Sequence, residues 1–252
     1  MIALIDIGNT SIAIGVSNQP KTIDIVYRMN TEKSKSADEY AITLNQFLKG
    51  IDQAVISSVV PELNEVFSEY FEKQFSIKPI FLGYGVKTGI RVVTDNPKEV
   101  GTDLITNVVA ATSLYNPTVL VVDLGTATTF TYCEELNLKG VAISPGLTTS
   151  RNALITKTSL LPQVELSTPV KLLGTNSTDS IKSGLVYGHA SLIDGMISRI
   201  KKQLLKPDLT VVLTGGHAKL VYPLLTEKVV VDTELILKGL LLVNEKNKVI
   251  HK

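Results

Sequence analysis

Tryptophan is absent from the 252 residues, cysteine occurs once, and histidine three times. A lone thiol, Cys133, cannot close an internal disulfide, which excludes an oxidised, stapled scaffold of the secreted type. One cysteine and three scattered histidines also fall short of a Cys/His zinc site. Neither sign of charge is in excess. Lys plus Arg number 25 against 24 Asp plus Glu, a net of +1, so no general attraction to nucleic acid or to an anionic membrane is expected. No run approaches the ~20 apolar residues that span a bilayer. The opening Met1–Asp6 has no basic region, and its apolar stretch is cut at once by a carboxylate, unlike an export signal. What remains is a chain 44% hydrophobic and 19% charged, the composition of a core-forming globular protein. A cytoplasmic α/β protein with no nucleic-acid or membrane partner is expected, of one large domain or two ordinary ones.

Residues 2–6 form a short apolar run that stops at Gly8-Asn9, and Ser11–Val16 resumes with strand composition. The reading is strand, turn, strand, with Gly-Asn supplying the positive φ that tight hairpins use. Apolar residues at helical spacing predict a helix over 37–48. Residues 53–60 read as a strand closed by Pro61, 62–75 as a helix, and 80–82 as a brief strand. A polar loop then runs to Val100, and Thr102 is the expected N-cap of a helix over 103–114. The second half opens like the first. Thr118–Asp123, then Leu124-Gly125-Thr126, then an apolar strand to Tyr132 repeats the frame of Ile2–Asp6, Ile7-Gly8-Asn9-Thr10 and Ser11–Val16. One unit used twice predicts a duplicated α/β fold, two lobes with a central cleft. The break at Leu114-Tyr115-Asn116-Pro117 sets the lobes at 1–115 and 116–252. Helices are expected over 147–156 and 179–205, and 211–217 as a strand running into a glycine turn.

A hairpin reading Asp-x-Gly followed by Asn or Thr has a chemical use. Glycine lets backbone N–H groups approach a ligand, Asn and hydroxyl side chains donate to phosphate oxygens, and the strand-end Asp can hold Mg2+. The plain alternative is two ordinary hairpins whose Asp and Asn favour turns. Gly215-Gly216 can let an adenine or ribose lie against bare backbone, or can simply make a turn. Asp103 sits where a helix macrodipole favours a carboxylate without any function; the functional reading is a general base presented by a long polar loop. His217, Lys87 and Cys133 read as packing or solvated residues.

The full set of motifs is similar to that of the type III pantothenate kinases, in the acetate-and-sugar-kinase/Hsp70/actin superfamily. Asp6-Ile7-Gly8-Asn9-Thr10 and Asp123-Leu-Gly-Thr126 resemble the two phosphate motifs. Ser36-Ala-Asp-Glu-Tyr40, Ile56-Ser-Ser-Val-Val-Pro61, Val86-Lys-Thr-Gly89, Asp95-Asn-Pro97, Glu99-Val-Gly101, Pro145-Gly-Leu147, Ile193-Asp-Gly195 and Thr214-Gly-Gly216 also match. The resemblance implies a ribonuclease H-like, actin/Hsp70-like ATPase fold and ATP-dependent phosphorylation of pantothenate, the first step of coenzyme A biosynthesis. It implies Mg2+, a monovalent cation (K+ or NH4+) and a homodimer. Asp6 to Thr10, Thr126, Gly215 and Gly216 would serve ATP, with Asp6 also at the metal and Asp123 at the monovalent cation. Asp103 would accept the proton, and Gly101 and Thr102 would line the pantothenate site. Three departures lie on that acceptor side. Leu104 replaces the arginine of the family's Gly-x-Asp-Arg, Thr94 replaces a tyrosine, and Ser177 replaces a threonine.

Overall fold

In a computed structural model, residues 1–19, 22–83, 85–158 and 160–248 are described; residues 249–252 of the expected second lobe lie outside them. The chain forms two compact units. One takes Met1–Leu114, Leu136–Leu138 and, as far as it is described, Leu235–Lys252; the other takes Tyr115–Glu135 and Lys139–Glu234.

The first unit runs β1 (Ile2–Ile7), β2 (Ser11–Ser17), β3 (Ile25–Asn30), α1 (Ala37–Leu44), β4 (Gln53–Ser58), α2 (Glu62–Phe75), β5 (Ile80–Phe81), β6 (Arg91–Val92) and α3 (Thr102–Leu114). Its sheet has the order β3-β2-β1-β4-β5. β1 is antiparallel to β2 and parallel to β4. Strand alternation sends successive side chains to opposite faces, and the two faces build separate cores. Ile5, Ile7 and Ile56 pack with Tyr40, Leu63, Phe67 and Phe71 of α1 and α2. Leu4 and Val55 pack on the other face with Val109 of α3. The helix expected over 37–48 ends at Leu44 and gives way to turns over 45–47, with the side chain of Asn45 reaching α2. Its amide donates to Gln74 Oε1 at 3.0 Å and its Oδ1 accepts from Tyr70 at 3.0 Å.

The second unit runs β7 (Val119–Leu124), β8 (Ala127–Glu134), β9 (Asn137–Pro145), α4 (Leu147–Thr156), α5 (Ser177–Leu204), β10 (Thr210–Thr214), α6 (Ala218–Val221) and β11 (Val230–Val231). The second sheet has the order β11-β10-β7-β8-β9-β6; five of its strands repeat the first sheet's arrangement, and β6 is added beside β9. β7 is antiparallel to β8 and parallel to β10. Leu120, Val122 and Phe130 pack against Ile193 and Ile197 of α5.

The last helix, α7 (Leu235–Asn247), moves out of the expected 116–252 lobe and completes the first unit. Leu237, Leu240, Leu241 and Val243 join Leu4 and Val55 in one core, each buried side chain contributing roughly 1.5–3 kcal/mol. α7 also lies against α3 so closely that a Cβ on Gly239 would fall on the Thr106 backbone carbonyl. Overpacking of this kind costs typically ~1–3 kcal/mol, so Gly239→Ala should lower the urea midpoint. Gly184, in α5 with open space around it, is the contrast. Gly184→Ala should raise the midpoint by up to roughly 1 kcal/mol of stability, as helix propensity dictates.

Candidate active site

Asp6 stands on β1 opposite Ala13 of β2 and Ser57 of β4, one step before the chain turns. The turn is closed by the Gly8 amide donating to the Ser11 carbonyl at 3.0 Å. Its glycine is required for a different reason from the expected one. No residue from Gly8 to Ser11 has positive φ; instead a Cβ on Gly8 would lie 3.0 Å from the Ser11 carbonyl oxygen. Thr31 braces the turn from β3's end: its hydroxyl donates to the Gly8 carbonyl at 2.6 Å and its amide to the Thr10 carbonyl at 3.0 Å. Asn9 and Thr10 are left exposed at the tip. Thr31 carried no motif signal in the sequence.

In the second unit Asp123 occupies the equivalent place on β7, opposite Thr129 and Thr214. This turn is shorter, closed by the Gly125 amide on the Ala127 carbonyl at 3.1 Å. Two glycines press against it. A Cβ on Gly146 would lie 2.6 Å from the Thr126 carbonyl oxygen, and one on Gly215, whose φ is +94°, would strike Asp123 Oδ1. The Gly146 amide and the Thr149 hydroxyl both donate to the Thr126 carbonyl, at 3.1 and 2.6 Å. These contacts fix the turn while Thr126 and Gly216 stay exposed. His217 Nε2 meets the Thr148 hydroxyl at 3.4 Å and His189 Nε2 meets that of Thr128 at 2.8 Å. Burial holds both rings below the ordinary histidine value, so both are neutral at pH 7.

Asp103 lies in the first turn of α3, partly buried. Thr102 does not cap this helix; it is the first helical residue, and its hydroxyl turns away to β4, 3.2 Å from both Ser57 Oγ and the Ser58 carbonyl. The carboxylate instead folds back on the helix start and accepts the Leu104 amide at 2.9 Å. A Cβ on Gly101 would collide with that carboxylate. Burial pushes the Asp103 carboxyl above the ordinary aspartate range, opposed by backbone amide donation from Leu104 and Asp103 itself. Leu104 is 8% exposed and packed. Thr94 is partly buried, and its Oγ1 is buried without a partner. Ser177, the first residue of α5, is exposed. The first unit thus gathers Asp6–Thr10, Thr94 and Gly101–Leu104; Asp123, Thr126, Ser177, Gly215 and Gly216 belong to the second.

Among the described residues no three His, Cys, Asp or Glu side chains cluster as a self-sufficient metal site. The strand-end carboxylate of Asp6, beside the exposed Asn9 and Thr10, has the chemistry of a Mg2+ site, since Mg2+ takes one or two carboxylates and shares its remaining ligands with phosphates and water. No helix among the described residues is long and apolar enough to cross a membrane.

A family model described as type III pantothenate kinase matches residues 2–199. The chain belongs to that family. The curated type III pantothenate kinase of Halalkalibacterium halodurans is 41% identical over 98% of this chain and 100% of its own length. That of Acholeplasma laidlawii is 43% identical over 98% and 99%. Among solved structures, the activator of the 2-hydroxyisocaproyl-CoA dehydratase from Clostridium difficile with bound ADPNP has a TM-score of 0.53 at 12% identity, covering 98% of each chain. This likeness agrees with the duplicated strand order: the fold of this pantothenate kinase family member is the two-lobed, ribonuclease H-like, actin/Hsp70-like α/β fold.

The partly buried Asp103 carboxyl has a signed consequence. Its pKa is higher folded than unfolded, so its stabilising contribution is present in acid and is lost as pH rises through the folded value. Asp103→Asn removes the partly buried charge and keeps an acceptor for the Leu104 amide. The variant should unfold at higher urea than the native protein at pH 7, and the gap should close as pH falls toward 3.8, the ordinary aspartate value.

Proposed function

We propose that this kinase transfers the γ-phosphoryl group of ATP to the terminal hydroxyl of pantothenate, with Asp103 as proton acceptor. The observation that carries the reading is the family match over the whole fold; the built environment of Asp103 supports the assignment of the base. The hydroxyl oxygen attacks the γ-phosphorus, its proton passes to the Asp103 carboxylate, the bond to the bridging oxygen breaks, and ADP leaves. Such a transfer asks the protein chiefly for positioning and charge stabilisation. The amides and hydroxyls of Gly8-Asn9-Thr10 and Gly125-Thr126 donate to phosphate oxygens, and bare backbone at Gly215-Gly216 receives the nucleoside. Asp6 would hold Mg2+, which would supply positive charge to the phosphates. Asp123 would serve K+ or NH4+. The enzyme works as a cytoplasmic homodimer.

A raised carboxyl pKa makes Asp103 a stronger base toward the acceptor's hydroxyl proton. ADP release should therefore require pantothenate and Mg2+ and be stimulated by K+. Asp103→Asn should lower kcat by roughly 10²–10⁴-fold with ATP affinity unchanged. A loss under about threefold returns Asp103 to the role of a helix-start residue.

The departures at Leu104 and Thr94 set the acceptor affinity. An arginine on the pantothenate carboxylate makes charge-assisted hydrogen bonds worth about 1.5–3 kcal/mol, and packed Leu104 makes none. Since 1.4 kcal/mol is about tenfold, the KM for pantothenate should stand roughly 10- to 100-fold higher than with the arginine. Titration at saturating ATP should show a lower KM for Leu104→Arg with Thr94→Tyr. Tight binding by the native protein would show that other residues replaced the arginine. ATP binding without turnover in either would make the chain a nucleotide-binding regulatory relative, and turnover of another alcohol would make it a kinase for that acceptor.

A further inference from the structure

β4 is apolar through Ala54, Val55 and Ile56 and then ends on two serines. Ser57 is 0% exposed, and a buried hydroxyl is costly unless it is hydrogen-bonded. Its partner is Thr102 Oγ1 at 3.2 Å. Either hydroxyl could donate in that pair, and the two contacts of Thr102 are made together in one arrangement. Thr102 has one hydroxyl hydrogen; with it on the Ser58 carbonyl at 3.2 Å, Ser57 is the donor, and the relay runs Ser57 hydroxyl, Thr102 hydroxyl, Ser58 carbonyl.

The relay passes through Thr102, the residue next to Asp103. Thr102 is fastened again one turn along, where the Thr106 hydroxyl donates to its carbonyl at 2.6 Å. Ser57 also shares a sheet face with Asp6, because the two are paired in register across parallel strands. The neighbours two residues back, Leu4 and Val55, both pack in the core that α3 covers. One buried hydroxyl thus links the strand pair that carries Asp6 to the helix turn that carries Asp103.

We propose that Ser57 is a positioning residue for phosphoryl transfer: its hydroxyl holds the first turn of α3 on the end of β4 and so sets the Asp103 carboxylate against the acceptor hydroxyl. This rests on the reading of Asp103 as the base. Ser57 touches neither substrate, and its effect is carried by Thr102. Removing it leaves the Asp103 carboxylate chemically intact but loosely aimed. A loosened base costs less than the 10²-fold of a full 1 Å displacement, and about tenfold in kcat is expected for Ser57→Ala.

The test is a double-mutant cycle, which separates action through a partner from an independent loss. Ser57→Ala, Asp103→Asn and the double variant are assayed for kcat with pantothenate, and for ATP affinity by calorimetry. The expected result is about tenfold lower kcat for Ser57→Ala, unchanged ATP affinity, and under twofold further loss when it is added to Asp103→Asn. Thr102→Val, which cuts the same relay from the helix side, should show the same non-additivity and serves where Ser57→Ala folds poorly. An equal loss in both backgrounds overturns the proposal, as does a native kcat or an effect confined to ATP affinity. If Asp103→Asn itself costs less than threefold, the base assignment falls and this proposal with it. A severe Asp103→Asn with an additive Ser57→Ala overturns the positioning role alone.

Discussion

The pairing of β1 with β4 in parallel register is the constraint from which the first unit's chemistry follows. It sets Asp6 beside Ser57, and strand alternation then decides everything behind them. Ile5, Ile7 and Ile56 go to α1 and α2, while Leu4, Asp6, Val55 and Ser57 go to the face covered by α3 and α7. A slip of one residue would exchange the two sets. It would bury the carboxylate among Phe67 and Phe71 and turn isoleucine to the site, so the apolar cores on both faces enforce the register that the polar pair needs.

The second unit repeats this device with different fittings. Asp123 is paired with Thr214 as Asp6 is with Ser57, and both neighbours are buried hydroxyl residues at 2% and 0% exposure. The turns differ. The first is braced by a side chain, Thr31, reaching in from another strand; the second is shorter and is braced by bare backbone at Gly146 and Gly215. Duplication preserved the strand frame and the acid, and each copy found its own way to hold a loop still.

This division explains what was legible in the sequence. The two Asp-x-Gly hairpins, the strand frame and α2 are local, and residue order alone exposes them. Asp103 at a helix start is equally local. What escaped is non-local. Thr102 looks like an N-cap because Thr before an acidic residue usually is one, but a carbonyl and a hydroxyl on β4 compete for its side chain. The glycine of the first turn looks like a positive-φ residue, whereas the constraint is a carbonyl three residues away. Ser57 lies inside a matched motif, Ile56-Ser-Ser-Val-Val-Pro61, but residue order does not say which partner its hydroxyl finds. The last helix gives no sign in its own sequence of which sheet it will cover.

That last helix has a consequence for how the chain is made. Leu4 and Val55 leave the ribosome early, yet Leu237, Leu240 and Leu241, which cover them, are synthesised some 180 residues after Val55. At ~5–20 residues per second, the apolar face of the first sheet stays open for many seconds while the whole second unit emerges. The first unit therefore cannot complete its core from residues 1–114 alone. Its core is completed only once α7 has been made, and a nascent chain stalled before residue 235 carries a sheet face that α3 alone half covers.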